Sequence, residues 1–275
     1  MTLDAALRHY PLPRLEARML LQHAVAGLSH ARIIADPDLT LSETQSACFC
    51  ALAERRLAGE PMAYLIGERE FFGRPFRVTP AVLIPRPETE HLVETALARL
   101  GGGPAQVVDL GTGSGAIAVT LALEAPAWRV SAVDLSAEAL AVACGNAEAL
   151  GADVAFHQGS WYAPLAEACF DLIASNPPYI RHDDHHLGEG DVRFEPRMAL
   201  TDEADGLDCL REIAGGAPSR LRPGGWLMVE HGYDQGPAVR ELFLATGLSE
   251  VETVLDLAGL DRITVGRKPL ADAAP

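Results

Sequence analysis

Lysine is nearly missing from this 275-residue chain, Lys268 being the only one, and 22 Lys plus Arg stand against 38 Asp plus Glu for a formal net charge of −16. A chain this acidic repels phosphate backbones as a whole, which weighs against direct nucleic-acid binding while leaving room for a local arginine patch. Cysteine is scarce and poorly spaced. Cys48, Cys50, Cys144, Cys169 and Cys209 are an odd number without a Cys-x-x-Cys pair, so neither a disulfide framework nor a zinc spacing is legible. They are expected to be reduced, mostly buried, small apolar residues. Long hydrophobic runs are absent too: the uncharged stretch that ends at Leu123 falls short of the roughly 18 apolar residues of a membrane-spanning helix. Met1-Thr2-Leu3-Asp4 carries an acid early and no apolar stretch follows it before Tyr10-Pro11, unlike a secretory signal, so a cytoplasmic protein is expected.

What the chain does have is a composition of 48% hydrophobic and 22% charged residues. That is enough to bury a core, and the length suits two unequal domains. No internal repeat or low-complexity segment stands out. Apolar positions recur at helical spacing through residues 1 to about 60, as in Leu15, Met19, Leu20 and His23, then Ala47, Leu52 and Leu57, which predicts a small helical bundle. Within it, Asp36-Pro37 is a loop and Leu41-Ser42-Glu43 a capped helix start. From Tyr64 to Leu83 the period changes, and Glu70 to Val78 reads as two short strands around a Gly-Arg-Pro turn.

Beyond residue 86, strand-like runs alternate with helical segments. The strand candidates are Gln106–Leu110, Arg129–Asp134, Val154–His157, Asp171–Ser175, Trp226–Glu230, Glu250–Asp256 and Arg262–Gly266. Consecutive apolar residues such as Val107-Val108 and Leu172-Ile173-Ala174 are those of strands covered on both faces, so a doubly wound, largely parallel α/β sheet is expected. The last two candidates are close enough to form an antiparallel hairpin at one edge.

The first of these strands runs into Asp109-Leu110-Gly111-Thr112-Gly113-Ser114-Gly115, and the second ends in Asp134. Glycines let the backbone turn tightly and approach a ligand at the carboxyl ends of the strands. A dinucleotide fingerprint has two residues between its second and third glycines, whereas one separates Gly113 from Gly115. With a carboxylate at Asp134 able to take both hydroxyls of a ribose, the pattern fits S-adenosylmethionine better than NAD. The fourth strand delivers Asn176-Pro177-Pro178-Tyr179-Ile180 to the same edge. Two prolines remove two backbone donors and fix φ, leaving a stiff turn rich in acceptors. The Asn176 side-chain oxygen and the Pro177 carbonyl can accept both hydrogens of a planar NH2 group while the Tyr179 ring packs on its face. Such an NH2 is a poor nucleophile, and two acceptors would aim it at an electrophilic methyl and stabilise the charge that develops.

Several segments together resemble the HemK/PrmC family, methyltransferases that modify the glutamine of the Gly-Gly-Gln motif in peptide-chain release factors. They are Gly67 to Gly73, Val82 to Glu90 with its Pro-Arg-Pro-Glu-Thr-Glu core, Asp109 to Ala118, Val133 to Ser136, Ser175 to Ile180, Phe194-Glu195-Pro196 and Glu230-His231-Gly232. The resemblance implies a class I S-adenosylmethionine-dependent methyltransferase fold, Rossmann-like with an antiparallel last strand. It would comprise a helical recognition domain at 1–62, a β-hairpin linker at 63–85 and a catalytic domain at 86–275. It further implies cofactor contacts at Gly111, Thr112, Gly113, Ser114, Gly115, Asp134, Trp161 and Asn176, with the substrate glutamine held by Asn176, Pro177, Pro178 and Tyr179. Asn176, Pro177 and Tyr179 would serve the chemistry, no metal is called for, and a monomer acting on release factors is expected. Gly145, in the helix before Asn146, departs from good helix-forming sequence. The histidine-rich run Arg181 to His186 reads as a solvated loop. Glu88, Glu195 and Glu230 are open between pocket walls, caps and surface acids. The competing functions are methylation of a ribosomal-protein glutamine, methylation of the adenine amino group, and a silent binding module of the same fold.

Overall fold

The computed structural model describes residues 1–165 and 167–270. They form two compact units: Met1–Glu68 with Gly190–Phe194, and Arg69–Glu189 with the chain from Glu195 onward.

The first unit is helical: α1 (Leu3–His9), α2 (Arg14–Ala24), α3 (His30–Ala35), α4 (Glu43–Leu57) and α5 (Met62–Ile66). Each start has a local cause where a hydroxyl is available. Thr2 and Ser29 accept from the backbone of Ala5 and Arg32. At the predicted start of α4, Ser42 and Gln45 satisfy one another in a reciprocal capping box, with bonds of 3.1 and 2.9 Å. The apolar face of each helix converges on Leu3, Leu20, Leu21, Phe49 and Ala53, all buried. Arg56 on α4 grips the Glu16 carboxylate of α2 with both Nε (2.8 Å) and Nη2 (3.1 Å). The distant segment Gly190–Phe194 joins this unit because Arg193 donates to the carbonyl of Ala58 at 3.0 Å.

The second unit opens with a ribbon of β1 (Glu68–Phe71) and β2 (Arg74–Arg77). Its turn falls at Phe72-Gly73, with φ of 53° and 73°, and not at Gly-Arg-Pro as the sequence suggests. Two successive positive φ values give the primed turn that matches strand twist, and Pro75 is accommodated in a strand with a free edge. Phe71 and Phe76 pack edge to face at 5.9 Å and enter the main core.

After α6 (Glu90–Leu100) come β3 (Gln106–Leu110), α7 (Ala116–Glu124), β4 (Arg129–Asp134), α8 (Ala137–Leu150), β5 (Val154–Gln158), β6 (Phe170–Ser175), α9 (Asp208–Arg220), β7 (Leu221–Glu230), α10 (Gly236–Ala245), β8 (Ser249–Leu255) and β9 (Asp261–Arg267). The sheet is seven-stranded in the order β5-β4-β3-β6-β7-β9-β8. Strands β3 to β7 are parallel to their neighbours, β9 runs antiparallel to β7, and β8 pairs antiparallel with β9. Alternation along each central strand feeds two separate cores. Val107, Leu172, Ala174 and Met228 enter one, and Val108, Ile173, Leu227 and Val229 the other. At about 1.5–3 kcal/mol per large aliphatic side chain, this two-sided burial is the main stabilising term. The lone lysine has a structural place: Lys268 Nζ donates to the carbonyls of Pro218 (2.6 Å) and Leu221 (2.7 Å), closing the end of α9.

The cysteines depart from expectation. All are free thiols, but Cys48, Cys144 and Cys169 are exposed and Cys50 and Cys209 half-buried. Cys50 packs against the helical core and Cys209 lines a cavity, while the other three face solvent. Among the described residues, no helix is long and apolar enough to cross a membrane.

Candidate active site

Sheet register assembles the site. Leu110 on β3 pairs with Val133 on β4 and with Ser175 on β6. The next residue along each of these three adjacent parallel strands is Gly111, Asp134 and Asn176. Glycine loop, acid and asparagine therefore emerge side by side at one carboxyl edge, where the strand order reverses, the usual place for a ligand in such sheets.

The loop is clasped to β4. The amides of Gly111 and Thr112 donate to the Val133 carbonyl at 2.8 and 3.0 Å. The Gly113 amide donates to Asp134 Oδ2 at 2.8 Å, and the Ser136 amide to Oδ1 at 2.9 Å. Each Asp134 oxygen keeps a lone pair for another donor. Burial pushes the Asp134 carboxyl above the ordinary carboxylate range, against the pull of these amides. Beneath the loop, Thr112 donates to Asp109 Oδ2 at 2.6 Å, and Asp109, fully buried, is raised to about 7 by desolvation. Gly115 has φ of +83°, and a Cβ there would lie 3.1 Å from that of Ala143. Asn146 ties the assembly together by donating to the carbonyls of Ser114 (2.8 Å) and Arg77 (3.0 Å) and accepting from the Arg77 amide (2.8 Å).

A cavity of about 430 Å³ opens on this edge, within the roughly 300–1,000 Å³ of small-molecule and cofactor sites. Gly111, Thr112, Gly113, Ser114, Asp134, Trp161, Asn176 and Pro178 line it. Gly115, Pro177 and Tyr179 stand outside the lining. Gly115 serves the packing of α7 on α8, Pro177 is buried, and Tyr179 is half-buried with its hydroxyl 3.2 Å from Glu230. Trp161 has φ of 43°, a sparsely populated conformation for a tryptophan. Its indole lies against Gly111, where a Cβ would come within 3.4 Å, and its Nε1 donates to Glu212 at 3.0 Å.

Behind the wall are residues that sequence reasoning left open or missed. Glu230 is buried and accepts from Thr89 Oγ1 (2.6 Å) and the Tyr179 hydroxyl (3.2 Å); Thr89 in turn accepts from Asn176 Nδ2 (3.1 Å). Glu195 is buried too, accepting from the Ile84 amide at 3.0 Å and from Arg86 at 2.5 Å. It thereby fixes the Pro-Arg-Pro segment that lines one side. Glu88 is exposed. None of these contacts has a local signature, because their partners lie far apart in the chain. Asp184, His185 and His186 bring ligand atoms within 4.8 Å of one another in an exposed loop that includes none of the cavity lining.

The residues present fit S-adenosylmethionine. An acceptor pair at the end of β4 suits a ribose diol, the glycine loop admits close approach of a ligand, and Trp161 offers a flat apolar face. Glycine loop, acid and switch point on a sheet with an antiparallel final strand define a class I S-adenosylmethionine-dependent methyltransferase.

Residues 3–67 match the family described as PrmC N-terminal domain, and residues 88–190 that described as Methyltransferase small domain. The release factor glutamine methyltransferase of Bordetella pertussis is 58% identical over 257 residues, 93% of this chain and 95% of that protein. That of Neisseria gonorrhoeae is 52% identical over 269 residues, 97% of this chain and 98% of that one. A methyltransferase structure from Pyrococcus furiosus aligns with a TM-score of 0.56 at 19% identity, over 79% of this chain and 98% of its own. A Thermus thermophilus 16S rRNA methyltransferase in complex with AdoMet and guanosine gives 0.55 at 23%, over 73% and 49%. These two bear on the fold alone. The chain belongs to the release factor glutamine methyltransferase (PrmC) family.

Proposed function

We propose that this enzyme methylates the side-chain amide nitrogen of the glutamine in the Gly-Gly-Gln motif of peptide-chain release factors, as a cytoplasmic monomer using S-adenosylmethionine. The observation that carries the chemistry is the Asn176 carboxamide. Its NH2 is taken up by Thr89 at 3.1 Å, so its oxygen is the atom left to face an acceptor substrate in the cavity. S-adenosylmethionine supplies a methyl on a positively charged sulfur. Gly111 to Ser114 and Asp134 would hold that cofactor, Asp134 at its ribose hydroxyls, and Trp161 would flank it. The Asn176 oxygen and the Pro177 carbonyl would accept the two hydrogens of the glutamine NH2, aim its nitrogen, and stabilise the positive charge that grows on it as the N–C bond forms and the methyl–sulfur bond breaks, leaving S-adenosylhomocysteine. The proton is then lost to solvent, without a dedicated base.

The names of relatives at 52–58% identity over nearly the whole chain support the release-factor substrate, and the net charge of −16 supports a protein over a nucleic-acid substrate. Incubation with labelled S-adenosylmethionine and purified release factor, ribosomal proteins or DNA is the test. Label on the release-factor glutamine is the expected result, and label confined to another substrate overturns it.

A further inference from the structure

A hydroxyl has one proton to give, and that fact orders the chain of contacts behind Asn176. When Glu230 is ionised, it accepts from both hydroxyls that touch it, Thr89 at 2.6 Å and Tyr179 at 3.2 Å. A carboxylate only accepts. The Thr89 proton is thereby committed to Glu230, and Thr89 Oγ1 faces Asn176 as an acceptor. Asn176 must then turn its NH2 toward Thr89, at 3.1 Å, and its oxygen the other way. Thr89 and Asn176 line the cavity, while Glu230 does not.

We infer that Glu230, acting through Thr89, is a positioning residue that sets the sense of the Asn176 carboxamide, presenting an acceptor rather than a donor to the substrate amide. This rests on the reading that Asn176 accepts from that amide. When Glu230 is protonated, it can donate to Thr89. The Thr89 proton is then free to bond the Asn176 oxygen, the carboxamide turns over, and an NH2 meets the substrate NH2. The site becomes repulsive without any backbone change. The groups that face Glu230 are Tyr179 from the Asn-Pro-Pro-Tyr turn, Arg262 from β9 and Glu88 from the turn before α6. The adjoining His231 is held neutral by burial, between the Gly232 carbonyl and Thr264. Burial and Glu88 push the Glu230 carboxyl up while Thr89, Tyr179 and Arg262 pull it down, and the net direction is upward. The acceptor sense of Asn176 is therefore lost on the acid side.

The test is steady-state kinetics of the full-length enzyme with S-adenosylmethionine and purified release factor. The variants are Glu230→Gln, Thr89→Val, Thr89→Ser and Asn176→Ala, each checked for thermal unfolding and cofactor affinity. Glu230→Gln and Thr89→Val should lose roughly 10- to 100-fold in kcat, the scale of one charge-assisted bond, with cofactor affinity unchanged. Thr89→Ser, which keeps the hydroxyl, should restore turnover. The acid limb of the wild-type kcat profile should vanish in Glu230→Gln. Wild-type kcat and an unaltered acid limb in both Glu230→Gln and Thr89→Val, with Asn176→Ala inactive, would overturn the inference and leave the acceptor reading standing. Full turnover by Asn176→Ala removes the acceptor reading and this inference together. Should Glu230→Gln unfold, the contrast between Thr89→Val and Thr89→Ser decides alone.

Discussion

Two carboxylates beside the glycine loop, Asp109 fully buried and Asp134 half-buried, do different work. Asp134 is held by the amides of Gly113 and Ser136 and opens to the cavity. Asp134→Ala is expected to weaken S-adenosylmethionine binding by roughly 1.5–3 kcal/mol, the loss of a charge-assisted ribose contact, while thermal unfolding shows the sheet intact. Calorimetry that finds unchanged affinity would remove Asp134 from the site. Asp109 has no opening to the cavity, and desolvation raises it from 3.8 to about 7. A raised carboxyl favours the protonated form in the fold. Its contribution to stability is whole below pH 4, declines as pH climbs, and is lost above about 7. Relative to Asp109→Asn, which does not titrate, the wild-type protein should lose stability steadily between pH 4 and 7 and no further beyond. Denaturant titrations of the pair across that range measure it, and a difference independent of pH would show Asp109 ionised throughout. Residue identity was legible wherever the chemistry is contiguous, as at Gly111 to Gly115 and Asn176 to Tyr179. It was not at Thr89 and Glu230, which lie 87 and 141 residues from their partners and meet only through the sheet.

At the scale of elements, the glycine loop is a packing device as well as a ligand cradle. Gly115 carries φ of +83°, with Ala143 Cβ 3.1 Å and Cα 3.3 Å from where a side chain would start. Gly115→Ala should therefore combine left-handed strain with overpacking of α7 on α8, at a cost of about 2 kcal/mol or more. Gly145 is the opposite case. It lies inside α8 with nothing within 4 Å of where a Cβ would stand, so Gly145→Ala should stabilise by about 0.5–1 kcal/mol. Equal and opposite shifts in unfolding free energy are not expected, but their signs are. A stabilising Gly115→Ala would mean that α7 and α8 are looser than the contacts require. The strands were legible because two-sided burial writes continuous apolar runs, and the edge hairpin because its connection is short. The ribbon turn falls one residue before the predicted Gly-Arg-Pro: that tripeptide is a strong local signal, but the primed turn needs positive φ at both positions, which Phe72-Gly73 adopts. Asn146 has no signal in the sequence, because a mid-helix asparagine carries no pattern until its three bonds to Arg77 and Ser114, from a ribbon and a loop, are seen around it.

At the scale of the whole molecule, the cofactor cavity is confined to one of the two units. Every residue that lines the 430 Å³ cavity belongs to the larger unit, so the helical unit is not needed to build the cofactor site. A lone glutamine side chain offers few contacts, and selecting one glutamine within a large protein requires further surface. We propose that the helical residues 1 to about 60 supply it by docking the release factor. Removing them also strips Ala58 from its bond with Arg193 and leaves Gly190–Phe194 without its packing partners, so cofactor affinity is the first quantity to measure in the truncated chain. That affinity should be close to wild type. Methylation of intact release factor should fall sharply, while methylation of a short peptide carrying Gly-Gly-Gln, already slow for want of contacts, should change little. Equal rates on intact release factor for the truncated and full-length enzymes would assign recognition to the larger unit alone.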